Sequence, residues 1–482
     1  MTTDSNNDLN LLLVPDDDRT PTLGAGLPSD AASSQVTPTT VESSFADFGA
    51  SPNDLYAQLW GVVAPAGPEG DALLARIKPL IDARRDEIET PPPVFRVPPT
   101  MSLDEATKWR AEVLYGKEIE DVPRYLLLLG DLHEVPLSLE RAIHHETLCG
   151  RLAFSHPNGY EAYVEKLLRA ERSEPNAHRK AVFYTVHDRT AATKLGYDHL
   201  ITPVAEQARA GQARGRFAAD EVLQLGNTHD PSPSEFLDVA GESQSAAVLT
   251  MSHGAGAPRR GWRTVADQQA HQGALCFGNE GKLYADDITD QAFMPGCLWL
   301  MLACFGAGTP KQSTFYHWLT ALQDEGRFRG HVGQVLESLP STSQRPFIAA
   351  LPQAALANPN GPLAIIGHLD LAWTYSFLEL DSGARKQRTE KFTNLLKQAM
   401  HGDRFGVVMH ALTRAFVAKN VELNQRYDRA EAAKVHGDPE RVERARLSHL
   451  WMARQDLLGY TLLGDPAARL HFTKRSRRRK KG

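Results

Sequence analysis

Five short runs of apolar residues restrict the fold more than any other feature of this chain. They are residues 125–129 (YLLLL), 181–186 (AVFYTV), 246–251 (AAVLTM), 298–303 (LWLMLA) and 361–367 (GPLAIIG). Each is too short for a buried helix and lacks the polar alternation of a half-exposed strand, so each reads as a strand covered on both faces. Stretches of helical spacing lie between them. Tyr160, Tyr163, Val164, Leu167 and Leu168 form one such stripe; Phe405, Val408, Leu412, Ala415 and Phe416, after a cap at Asp403, form another. Strands alternating with helices predict an α/β fold, with a mostly parallel sheet and helices on both faces. No internal repeat is apparent.

A chain of 482 residues has room for about three domains, or for one large α/β unit with extensions. Its texture divides it. Residues 1–50 are rich in Asp, Ser, Thr, Pro and Gly and read as a disordered leader. Residues 51–120 read as a helical segment (Ala72, Leu73, Ile77, Leu80, Ile81) and a stiff connector at Pro91, Pro92 and Pro93. A first α/β subdomain is expected over 121–240, a second over 241–472, and a disordered basic tail over 473–482. That tail carries seven positive charges between Lys474 and Lys481, leaving the rest at −13 against a total of −6. Such an arm suits anionic polymers or membrane surfaces, although a solvated tail is the commoner reading.

The four cysteines, Cys149, Cys276, Cys297 and Cys304, match no CxxC or zinc spacing and are too few for a disulfide framework. The histidines show no metal-ligand spacing, so His144, His145, His187 and His368 read as solvated or hydrogen-bonded side chains. The glycines at 24 and 26 lack the lysine of a phosphate loop. Neither a metal nor an organic cofactor is implied. Without a charged signal region or an apolar run of membrane-spanning length, the expected address is the cytoplasm.

In open α/β sheets, reactive residues collect where strands end. The third run leads into Ser252-His253-Gly254-Ala255-Gly256 and the fourth into Cys304-Phe305-Gly306-Ala307-Gly308. If the strands are parallel neighbours, an imidazole and a thiol meet at one edge. A thiolate attacks carbonyls, and a neighbouring histidine removes the thiol proton and later protonates the leaving amine. The backbone amides of Gly254 and Cys304 are suited to hold an oxyanion, at ~2.7–4 kcal/mol per donor. The competing reading makes Cys304 a small buried hydrophobe at a strand end. Cys276 and Cys297 read that way.

With these residues in place, the chain resembles the gingipain-like cysteine peptidases, relatives of caspases, over residues 121–472. The similarity lies in YLLLLGD closing at Val135-Pro136, in Gly150-Arg151-Leu152 followed by YEAYVEK, in His253-Gly254, in Ala303-Cys304, and in YTLLGDPAARL at 460–470. The 51 positions from His253 to Cys304 match the caspase separation of about 50. The resemblance implies a caspase-like sheet in a two-part arrangement, Cys304 as nucleophile and His253 as general acid and base. It puts Glu134 at an acidic position suited to orient His253, and Trp373 at the wall of the substrate pocket. Glu140 lies near the region where arginine-specific members place their pocket acid. The implied function is a cysteine endopeptidase acting on protein or peptide substrates under a regulatory partner or leader cleavage. The alternatives are a catalytically silent scaffold of the same fold and an anion-binding adaptor.

Overall fold

The computed structural model describes residues 9–28, 31, 50–114, 116, 121–226, 231–328, 332–339, 345–381, 384–436 and 444–473. The basic tail from Lys474 onward, and the leader apart from 9–28, 31 and 50, lie outside the described residues.

A ten-stranded sheet organises the chain. Its strands are β1 (Trp60–Pro65), β2 (Val94–Val97), β3 (Tyr125–Leu129), β4 (Leu148–Leu152), β5 (Lys180–Thr185), β6 (Glu221–Leu225), β7 (Ala247–Met251), β8 (Leu298–Leu302), β9 (Ala364–His368) and β10 (Tyr460–Leu463). Their order in space is β2-β1-β3-β4-β10-β9-β8-β7-β5-β6. Every neighbouring pair is parallel except β9 and β10, which run antiparallel. The sheet is therefore two parallel blocks of opposite direction, as the mostly parallel α/β expectation requires. The central strands β3, β7, β8 and β9 are buried along their whole length, which is why their sequences lack polar alternation. Helices between successive strands, such as Asn158–Arg172, bury one apolar stripe against the sheet.

Two features differ from the sequence reading. The segment 51–120 is no mere helical connector, because it supplies β1 and β2 to the sheet. Trp60–Pro65 is a sixth fully buried apolar run, cut short by a proline. The expected boundary at 240 also separates nothing, since β5 and β6 pair alongside β7. The change of direction falls instead between β10 and β9, and β10 joins the amino-terminal block beside β4 through a single register pair, Arg151 with Leu463. Gly150 permits this junction: a Cβ there would stand 2.4 Å from the carbonyl oxygen of Gly464.

Buried ionic groups clamp the same junction. Arg151, fully buried, donates to Glu140 Oε2 from Nε at 3.0 Å and from Nη2 at 2.7 Å. Glu140 Oε1 accepts from the Thr461 hydroxyl at 2.6 Å. Glu140 is thus committed to the frame rather than to a substrate pocket. Asp465, from the closing Gly-Asp-Pro, accepts from Arg84 Nη2 at 2.6 Å and from Trp60 Nε1 at 3.0 Å, tying the helix Lys78–Ile88 and β1 to the end of the last strand.

Two outcomes follow for stability. Glu140→Ala leaves Arg151 buried without its counter-charge and should cost about 3–5 kcal/mol, read as a lower urea midpoint. The second concerns pH. Burial first, then nearby positive charge, pushes His145 and His410 down to about 4. The native state then refuses protons that the unfolded chain accepts below about 6.5, so these groups withdraw stability as pH falls from about 6.5 to about 4. His410→Gln should flatten the decline of melting temperature across that window.

Candidate active site

Register brings the site together. In the ladders, Thr185 of β5 pairs with Met251 of β7, and Met251 pairs with Leu302 of β8. His253 and Cys304 each lie two residues beyond the last paired position, so they leave the sheet at the same level. Asp188 follows β5 by three residues, and the loop carrying Asp370, Ala372 and Trp373 follows β9. Four neighbouring strand ends of one parallel block meet there.

The approach of the two central loops is unusually close. A Cβ on residue 254 would sit 1.9 Å from the Cys304 carbonyl oxygen, so only glycine fits beside the cysteine backbone. Residue 305, after the cysteine, is held at φ 55°, the left-handed region that costs a non-glycine residue of order 1–3 kcal/mol. Its amide donates to the Asp370 carbonyl at 2.8 Å, and Ala307 N–H donates to the His368 carbonyl at 3.0 Å. These bonds fix the cysteine loop against the end of β9.

His253 is fully buried, with Nε2 2.9 Å from Thr190 Oγ1 and 3.2 Å from Asp188 Oδ2. Thr190 and Thr193 hydroxyls both donate to Asp188 Oδ1, at 2.7 and 2.6 Å, which fixes the carboxylate. With acceptors on that side, Nε2 carries the proton and Nδ1 is left as the basic nitrogen. Burial pushes the imidazole pKa down, while Asp188 and the Leu12 backbone act upward. Orientation of His253 therefore belongs to Asp188. Glu134, expected in that role, instead accepts the Asp131 N–H at 2.7 Å at the end of β3. The clue in the sequence was the dipeptide His187-Asp188 just past the second apolar run, whose acid, not its histidine, matters here.

Cys304 is also fully buried; its Sγ accepts from Ala372 N–H at 3.3 Å. Burial raises the thiol pKa well above its ordinary value; the Ala372 and Leu12 amides oppose this, and Asp370 and Asp456 add to it. Trp373 is buried among Trp318 and Phe315, with ring centroids 5.4 and 5.7 Å away. Asp456 holds its loop by accepting from Trp373 N–H at 2.9 Å and Ser376 N–H at 2.7 Å. His368 is a clamp: Nδ1 is 3.1 Å from the Asp370 carbonyl oxygen, and Nε2 2.8 Å from that of Asp456.

The expected leader is in part an ordered strand over this site. Leu13–Pro15 pairs in parallel with His253–Gly256, and Leu11 forms an antiparallel bridge with Trp373. Between them, the Leu12 carbonyl accepts the Gly254 N–H at 3.0 Å. Leu9, Leu11, Leu12 and Leu13 are all buried, an apolar density that the polar remainder of the leader hides from a composition reading. No group of three or more His, Cys, Asp or Glu suited to a metal occurs among the described residues. No described helix is long and apolar enough to cross a membrane.

No protein-family model matches the chain, and no curated protein matches it. Among solved structures, it is similar to one described as "Structure of Protease", with 11% identity and a TM-score of 0.47 over 85% of this chain and 78% of that chain. A second, described as "Rhodopseudomonas palustris (strain CGA009) Rp1789", aligns at 10% identity with a TM-score of 0.14 over 82% and 87% of the two chains. Such values assign no activity, and the chemistry rests on the site's own geometry.

The substitution Asp188→Asn should expose the role of this carboxylate. An amide oxygen in its place would keep the threonine bonds, but the negative charge facing Nε2 would vanish. The His253 pKa should fall below the wild-type value, and the proton should leave Nε2 for Nδ1. Titration of the imidazole by nitrogen NMR reads both changes; an unmoved pKa would remove Asp188 from the site.

Proposed function

We propose that this chain is a cysteine endopeptidase of the gingipain-like, caspase-related kind, with Cys304 as nucleophile and His253 as general acid and base. One observation carries the reading: the Gly254 amide beside Cys304 already holds a peptide carbonyl oxygen, that of Leu12, where an oxyanion would form. In the reaction, His253 Nδ1 takes the thiol proton and Sγ attacks the substrate carbonyl carbon. The Gly254 and Cys304 amides receive the oxyanion. The tetrahedral species collapses with protonation of the leaving amine by His253. Water, deprotonated by the same nitrogen, then hydrolyses the thioester and returns the thiol. The Asp188–Thr190–Thr193 group keeps the ring in the tautomer this sequence needs. In this reading the Trp373 loop flanks the acyl side of the attacked carbonyl, where its backbone bridges Leu11.

The steps draw on Cys304, His253 and water alone, and the substrates are proteins or peptides in extended form. The four cysteines are free in the structure, which agrees with a reducing compartment such as the cytoplasm. A silent scaffold is the second reading, because both members of the dyad are fully buried. Occupation by the amino-terminal strand accounts for that burial without loss of function. A regulatory partner, and an anionic surface for the basic tail, belong to this proposal as contacts outside the site.

The test is covalent. A peptidyl electrophile should label Cys304 in the wild type and leave Cys149, Cys276 and Cys297 unmodified, as mass spectrometry of digests would show. Cys304→Ala should lower peptide hydrolysis by on the order of 10³-fold or more. Unchanged turnover in Cys304→Ala would leave the scaffold reading standing.

A further inference from the structure

The strand lying over the dyad has the posture of a substrate. On the amino side of Leu12, the chain meets the Trp373 loop through the antiparallel bridge at Leu11. On the carboxyl side it follows the His253 strand in register, Leu13 with Gly254 and Pro15 with Gly256, and Asp16 N–H donates to the Gly256 carbonyl at 2.8 Å. The Leu12 carbonyl sits between these two anchored halves, on the amide adjoining the nucleophile. The Leu12 side chain is fully enclosed and belongs to the main apolar core.

Charge fixes the far end. Asp16 lies against Lys282, with the ion pair at 3.6 Å, and accepts from the Tyr284 hydroxyl at 3.2 Å. Asp17 Oδ1 accepts the Arg259 N–H at 2.9 Å, and Asp18 accepts from Arg259 Nε at 2.9 Å. The apolar stretch and the acidic stretch of the segment thus each have a matching surface on the catalytic block.

We infer that the site takes an extended peptide with leucine on the acyl side of the scissile bond, and that the chain's own Leu12–Leu13 bond is such a substrate, cut in cis. This rests on the peptidase reading and adds specificity and self-processing to it. Cys304 Sγ bonds to the Leu12 carbonyl carbon; the C–N bond to Leu13 breaks, and the Leu13 nitrogen takes the proton held by His253. Water then cleaves the thioester, giving a Leu12 carboxylate, a free Cys304 thiol and a new amino terminus at Leu13. The enclosed pocket disfavours a charged side chain in place of Leu12, so discrimination against aspartate there should be at least about tenfold.

The experiment incubates the full chain and follows it by denaturing intact-mass measurement and amino-terminal sequencing. A new terminus reading Leu-Val-Pro-Asp, together with the released fragment of residues 1–12, is expected in the wild type and absent in Cys304→Ala. Leu12→Asp should slow the cut at least tenfold, while Leu12→Met, close in volume and polarity, should retain it. In trans, a synthetic peptide of residues 9–18 should be cut after its Leu12 position, and its Leu12→Asp form should not. An intact Leu12–Leu13 bond, or equal cutting of the two peptides, in an enzyme that still hydrolyses other peptides through Cys304 overturns this inference alone. Failure of Cys304 to label and of every peptide to be hydrolysed overturns the peptidase reading with it.

Discussion

The backbone of Gly254 lies against the backbone of Cys304, and the site depends on how close that contact is. Parallel strands β7 and β8 run in register to Met251 and Leu302, so the two chains emerge at one height and about one strand spacing apart. Ordinary side chains would force them to diverge there. Glycine at 254 removes the obstacle, since a Cβ would stand 1.9 Å from the cysteine carbonyl oxygen. Beside this contact the Gly254 N–H donates to the Leu12 carbonyl at 3.0 Å. The close approach of the backbones at Gly254 and Cys304 is thus a consequence of sheet register and one missing methyl group.

Burial then sets the charge state of the pair. Low dielectric disfavours ions, so it raises a thiol and lowers an imidazole, and both shifts have that direction here. With residues 9–16 in place, the neutral thiol and neutral imidazole are the favoured pair. Asp188 works against this for the imidazole alone, acting to raise its pKa. Two threonine hydroxyls donate to one oxygen of this buried side chain and hold it in place.

The sheet was largely readable in the chain because buried parallel strands leave an unmistakable mark. YLLLL, AVFYTV, AAVLTM, LWLMLA and GPLAIIG all became strands, within a few residues at their ends. Other strands carry a less regular mark: Glu221–Leu225 is an edge strand only partly covered, Val94–Val97 alternates between buried and exposed, Leu148–Leu152 carries a glycine and an arginine, and Trp60–Pro65, although buried, runs into a proline just before a helix. The nearness of the His253 and Cys304 positions is legible because each follows a strong strand by two residues and those two strands pair in register. Asp188 was missed because its role comes from β5 pairing beside β7, a non-local order that spacing along the chain does not reveal. Glu134 was misassigned for the matching reason: it ends a strand of the other block, and its carboxylate caps its own turn.

The amino-terminal segment shows most plainly where composition misleads. Averaged over fifty residues, Asp, Ser, Thr and Pro dominate, and too little apolar surface remains to offset the entropy of ordering the chain. The averaging conceals Leu9, Leu11, Leu12 and Leu13, which place four leucines within five positions in the main apolar core. Burying each leucine is worth roughly 1.5–3 kcal/mol, and the sheet edge at His253–Gly256 offers backbone partners for the residues that follow. The ordered stretch runs on to residue 28, with Leu23 and Leu27 buried as well, Leu27 bridged to Leu9, and the Thr22 N–H donating to the Leu13 carbonyl at 2.9 Å. Alternation does not set its register, since leucines at 11, 12 and 13 would let a one-residue slip replace like with like; the flanking anchors do, Leu11 at Trp373 on one side and Asp16 at Lys282 and Asp17 at Arg259 on the other.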